Sequence, residues 1–218
     1  EQAGPRWTKL EAYRVLDGAF PRHIRACDGY VVTGSAAGVY EDHSWIDPLM
    51  AFIREAHDAD IPLLGICFGH QAIAQALGGE VVKWPDGWGV GVRPTRFECQ
   101  PVAKAELPDD AVVKLIYFHQ DQVTRLPEGA ERLASSDFCR EAGFTVCTTD
   151  GVQTVLCLQG HPEFDAGYST ALLDSIESKV GTDRTKAARA SLAKKTDSPL
   201  VAGWIKQFFT IAAQRRGW

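Results

Sequence analysis

The sequence predicts an α/β fold, an open, mostly parallel sheet with helices on both faces and some antiparallel strands in the middle of the chain. Three observations carry this. Apolar runs alternate with helix-patterned segments up to Gly79, and strand–helix–strand–helix order is the signature of a parallel sheet with covered faces. The middle of the chain then changes to short strand-like runs separated by turn residues, as in antiparallel pairing. From Gly167 onward the pattern is helical.

Taken in order, Tyr13-Arg14-Val15-Leu16 is a short strand candidate closed by the turn pair Asp17-Gly18. Gly29-Tyr30-Val31-Val32-Thr33-Gly34 is a second, running into the small-residue loop Ser35-Ala36-Ala37-Gly38. Residues 46–59 have helical periodicity, with Asp47-Pro48 at the start where proline costs no hydrogen bond. Residues 61–66 read as a buried strand, and residues 70–77 as a helix ending at Gly78-Gly79. Further strands are expected at Glu80–Lys83, 89–94, 112–117, around 132–134, 144–148 and 155–159. Residues 186–195 read as a mixed, solvated helix or loop. Trp204, Ile205, Phe208, Phe209 and Ala212 form the core stripe of a last helix.

Bulk properties bound the function. A chain of 218 residues suits one domain over its whole length, 1–218, and no repeat or linker divides it. The net charge of -5 and pI of about 5.7 give no reason to expect nucleic acid as a partner. No apolar run approaches the roughly 18 residues of a membrane span, so no membrane partner is expected. The six cysteines contain no CxxC pair and no Cys/His cluster with zinc spacing. They are expected as free thiols in a reducing, cytoplasmic setting, with Cys147 and Cys157 as small buried hydrophobes. No metal and no cofactor is expected.

The most informative stretch is Gly65-Ile66-Cys67-Phe68-Gly69-His70-Gln71. A cysteine between glycines, where a buried strand turns into a helix, stands at the apex of a nucleophile elbow. The helix N-terminus favours a thiolate there. A cysteine nucleophile needs a base, and the base an orienting group. Of six histidines, His161 stands out in Gly160-His161-Pro162-Glu163-Phe164, directly after a buried-looking strand. Proline at 162 pushes His161 into an extended conformation, where residues two apart face the same way, so Glu163 is expected to fix the imidazole. Both motifs sit at C-terminal ends of strands, where open α/β sheets bind ligands.

These two motifs resemble the class I (triad-type) glutamine amidotransferase family. The resemblance covers most of the chain from Tyr13 to Phe164. Tyr13-Arg14-Val15-Leu16-Asp17-Gly18, Tyr117-Phe118-His119-Gln120-Asp121-Gln122-Val123 and Leu158-Gln159-Gly160-His161-Pro162-Glu163 are similar to the stand-alone GMP-synthase-like subgroup, which includes plant γ-glutamyl peptidases. The resemblance implies a flavodoxin-like sheet and a Cys-His-Glu triad of Cys67, His161 and Glu163. It implies a γ-glutamyl thioester on Cys67 and an oxyanion hole of backbone N–H groups from Phe68, Gly34 and Ser35. Ser35 stands where many members have a second glycine. Gln71, His119, Gln120 and Asp121 are implied as substrate-binding residues, with a polar turn after a strand as the plain alternative for the last three. The implied partner is a small molecule with a γ-glutamyl group, and in one reading a separate ammonia-accepting synthase.

The family's fold has a central strand and helix before the Tyr13 region. Residues 1–9 contain no such strand, so the chain is expected to lack its native N-terminus. The sequence holds no GxxxxGK loop, and no ATP-pyrophosphatase activity is expected of these residues. Three readings remain: a γ-glutamyl hydrolase acting on glutamine or on γ-glutamyl peptides, a glutaminase subunit, and a non-catalytic regulatory module. An α/β-hydrolase is disfavoured because there the acid precedes the histidine. Trp84 and Trp88, in residues 83–88, are candidates for a pocket wall, with core packing as the plainer expectation.

Overall fold

The computed structural model of the protein describes residues 9–103 and 105–215. Residues 1–8, most of the stretch in which no strand is expected, lie outside them.

Strand β1 (Tyr30–Val32) is followed by helix α1 (Ile46–Asp58), β2 (Leu63–Ile66) and α2 (Phe68–Ala76). Then come β3 (Glu80–Lys83), β4 (Gly89–Phe97), β5 (Val112–His119), β6 (Asp121–Arg125), β7 (Ala130–Ser135), β8 (Gly143–Cys147) and β9 (Gln153–Leu158). Helices α3 (Ala166–Val180), α4 (Thr182–Ser191) and α5 (Ser198–Arg215) close the chain. The main sheet has seven strands in the order β1-β2-β9-β8-β7-β4-β5, and β3 and β6 form a separate antiparallel ribbon. β1, β2 and β9 pair in parallel, while the pairs from β9 through β8, β7 and β4 to β5 are antiparallel. In the resulting sheet β1, β2, β9, β7 and β5 run one way and β8 and β4 the other. This is the expected mostly parallel open sheet, with its reversed strands drawn from the middle of the chain.

Alternation within β2 and β9 builds the two faces of the core. Leu63, Val155 and Cys157 point to α1 and α2, where Ile46, Leu49, Met50, Ile53 and Ala56 recur at helical spacing. Leu64, Ile66, Leu156 and Leu158 point to α5, whose Val201, Trp204 and Phe208 are buried. Each such side chain taken out of water is worth about 1.5–3 kcal/mol. This explains why β2 and β9 read as continuous apolar runs: both faces are covered.

Two local expectations are overturned and two left open are decided. Cys147, at the end of β8, is exposed rather than buried, while Cys157 is buried as expected. Tyr13-Arg14-Val15-Leu16 is no strand; residues Val15–Asp17 form a 3-10 turn, closed by the Asp17 N–H bonded to the Arg14 carbonyl at 2.9 Å and by Gly18 at φ 74°. Leu16 is 59% exposed while Val15 packs against the core beside α1, and among the described residues no strand pairs with this run. Residues 182–191 are a defined helix, α4, whose Thr185 and Ala188 are buried; it packs on β4 through Ser191, whose hydroxyl accepts from the Val92 N–H at 2.8 Å. Trp88 meets Phe118 edge-on, 5.9 Å between ring centres, and packs half-buried against the cluster under α3 and α4, in keeping with the plainer expectation of packing.

Candidate active site

The elbow is built by close backbone approaches. A Cβ on Gly65 would lie 2.6 Å from the Gly69 carbonyl oxygen, and one on Gly69 would overlap the Val32 carbonyl. Neither glycine has a positive φ; that falls to Cys67, at φ 54° and ψ -106°. A non-glycine residue there is strained by the order of 1–3 kcal/mol, and the surrounding structure holds it. The Cys67 N–H bonds to the Leu158 carbonyl at 2.9 Å, tying the elbow to the end of β9. The Cys67 sulfur faces the Phe118 carbonyl at 3.8 Å.

His161 is 3% exposed and anchored in extended backbone, its N–H bonded to the Ile116 carbonyl at 2.8 Å in a bridge between β5 and the end of β9. Its Nδ1 meets Glu163 Oε1 at 2.7 Å. The pairing expected from the sequence is present, but its route differs: Pro162 and Glu163 lie in a turn, and the turn returns the carboxylate to the ring. With Nδ1 engaged, Nε2 is left for the cysteine. It is buried and makes no hydrogen bond of ordinary geometry, with the Cys67 sulfur as its neighbour. Gly34 completes the enclosure, since a Cβ there would sit 3.3 Å from His161 Cε1 and 3.9 Å from Cys67 Cβ. Burial alone would push the imidazole down; the charge and hydrogen bond of Cys67, then Glu163, outweigh it and push the ring up to about 9.

At the positions expected to form an oxyanion hole, Phe68 is the first residue of α2, and no side chain caps that helix. N–H groups of a first turn have no partner inside the helix, so Phe68 offers a donor beside the sulfur. Ser35 turns its hydroxyl to the Ala37 N–H at 3.2 Å, shaping the loop after Gly34.

The residues expected to hold substrate lie on the turn from β5 to β6, with Gln71 behind it. Gln71 Nε2 donates to the Asp121 carbonyl at 2.9 Å and to Gln159 Oε1 at 3.1 Å. His119 Nδ1 meets the same Asp121 carbonyl at 2.9 Å. Burial pushes His119 down to about 4, so the ring is neutral and Nδ1 is the donor. The side chains of Gln71 and His119 therefore pin the turn from behind. The Asp121 carboxylate accepts from the Tyr40 hydroxyl at 2.8 Å, and burial raises its pKa. Gln120 sits at the apex, its carbonyl taking the Trp84 N–H at 3.1 Å. Sequence reasoning missed Gln159, Tyr40 and Phe164, none of which falls at a motif position with a known role.

The fold is shared with a solved glutamine amidotransferase from Thermotoga maritima: TM-score 0.72, 21% identity, covering 90% of this chain and 85% of that one. A family model described as glutamine amidotransferase class-I matches residues 16–175, and the chain belongs to that family. It is 31% identical over 182 residues to "Gamma-glutamyl peptidase 4" of Arabidopsis thaliana, covering 79% of this chain and 68% of that protein. It is 33% identical over 154 residues to a glutamine-hydrolyzing GMP synthase of Ralstonia pickettii, covering 68% of this chain and 26% of the synthase.

Proposed function

We propose that this protein hydrolyses a γ-glutamyl amide bond with Cys67 as nucleophile. The single observation that carries the reading is the His161–Glu163 contact of 2.7 Å, which engages Nδ1 and leaves a buried Nε2 free to address a strained cysteine. The Cys67 sulfur attacks the γ-carbonyl, forming an S–C bond and a tetrahedral oxyanion that the backbone N–H groups of Phe68, Gly34 and Ser35 receive. Collapse breaks the C–N bond, and the leaving amine takes a proton from His161 Nε2. Water, deprotonated by the same nitrogen, then cleaves the γ-glutamyl thioester, releasing the γ-carboxylate and the thiol. Glu163 keeps the imidazole in place and supports its cationic form. The turn through His119, Gln120 and Asp121, fixed by Gln71, receives the α-amino and α-carboxylate ends.

A peptide leaving group is supported by the likeness to plant proteins named γ-glutamyl peptidases, at 29–31% identity. Ammonia release to a separate synthase is the other arm, in keeping with the partial likeness to GMP synthase. The experiment compares ammonia released from glutamine with amine released from γ-glutamyl dipeptides and glutathione by the isolated chain. Turnover of peptides without a partner supports the peptidase arm and rules out an obligate subunit. Absence of turnover on all of them, with no labelling of Cys67 by a glutamine-like electrophile, overturns the hydrolase and leaves a non-catalytic module.

A further inference from the structure

The Phe164 ring lies face to face on the His161 imidazole, ring centres 3.8 Å apart and planes inclined by 15°. Phe164 is only half-buried, and it is brought back over His161 by the turn that also supplies Glu163. Tyr168 meets the Phe164 ring edge-on, 4.6 Å away at 66°. Tyr168 is held in turn by the cap of α3, its N–H donating to Asp165 Oδ1 at 2.7 Å. A chain of contacts thus runs from the cap of α3 through two aromatic rings to the imidazole.

The ring is constrained in three independent ways. Its backbone is bonded to Ile116, its edge to Glu163, and its face to Phe164. The first two still allow the imidazole to tilt about the axis through Nδ1. A flat aromatic surface against its face removes that freedom. The negative face of the phenyl ring also attracts an imidazolium more than a neutral imidazole. The charged or titratable groups around His161 are Cys67 from the elbow, Glu163 from its own turn and neutral His119 from β5. None of them lies over the ring face that Phe164 occupies.

We propose that Phe164 is a positioning residue of this site, an aromatic platform that holds the His161 ring in the plane from which Nε2 addresses Cys67. The inference rests on the proposed hydrolase reading for its role in turnover, and on geometry alone for its effect on the ring.

The test measures the His161 ring titration by NMR on the wild-type chain and on the Phe164→Leu and Phe164→Tyr variants, alongside the pH profile of kcat/KM on whichever γ-glutamyl substrate is turned over. Phe164→Leu keeps apolar bulk but removes the π face. It is expected to lower the ring pKa by about half to one and a half units and to move the matching limb of the pH profile in the same direction. Phe164→Tyr retains the face and is expected to keep both values. An unchanged titration in a folded Phe164→Leu variant overturns the platform, as does an equal shift in both variants. If no substrate is turned over, the hydrolase reading fails while the NMR titration still decides the platform.

Discussion

Gly69 touches Val32 backbone to backbone: the first turn of α2 lies so close to β1 that a Cβ at position 69 would overlap the Val32 carbonyl oxygen. The atom in the way is rigid main chain, so the helix itself would have to move. Gly69→Ala is expected to cost roughly 1–3 kcal/mol or more in denaturant unfolding and to reduce turnover further, because α2 carries the Phe68 N–H. A variant with wild-type stability would show that β1 yields.

Cys67→Ala is expected to leave the fold intact, since alanine accepts the same strained backbone no worse than cysteine, and to cut turnover by at least about a thousandfold. The check is single-turnover kinetics with circular dichroism; activity equal to wild type would end the covalent mechanism.

His161→Ala is expected to be as damaging as loss of the cysteine, while Glu163→Gln is expected to cost less, because a neutral amide still holds Nδ1 through a hydrogen bond but supports the cation less. The folded ring is raised to about 9 from an ordinary 6.5. Its contribution to stability is therefore fully present below about pH 6.5 and is lost as pH rises through 9. Urea unfolding at pH 6, 8 and 10 checks this, and the decline should be absent in His161→Ala.

Two other histidines act in the opposite sense. Burial, aided by the charge of His119, pushes His70 down to about 3, and His119 itself stands at about 4. Below about pH 6.5 the unfolded chain takes protons at both positions and the folded chain does not, so stability falls as pH drops. The slope approaches about 1.4 kcal/mol per pH unit for each histidine. His70→Met should remove one histidine's share of that slope in unfolding measured from pH 7 to 4.5.

The parts of this architecture that local patterning dictates were legible. β2, α2 and β9 announce themselves because both faces of the sheet are covered and the elbow glycines are required by contact. β6 was not legible. Asp121-Gln122-Val123-Thr124-Arg125 lacks an apolar run, and it becomes a strand only because β3 supplies a partner, across a register shift at Glu80/Val81. Tyr13-Arg14-Val15-Leu16 failed in the reverse way, having strand-forming residues but, among the described residues, no strand to pair with. The site divides similarly. Cys67, His161 and Glu163 lie in two short motifs, whereas Gln159, Tyr40 and Phe164 act through contacts that only the folded chain creates. Gln71 Nε2 and Gln159 Oε1 are joined across 88 positions of sequence, a distance over which no periodicity reports.

The Tyr40–Asp121 hydrogen bond joins positions 81 residues apart, one on the loop that follows β1 and the other on the turn leaving β5. Those two segments carry the proposed oxyanion loop and the proposed substrate turn, and they belong to the parallel and antiparallel halves of the sheet. A phenol thus acts as a latch between the segment proposed to stabilise charge and the segment proposed to recognise the ligand. Tyr40 itself is half exposed. The latch is therefore reachable from outside, away from the buried core.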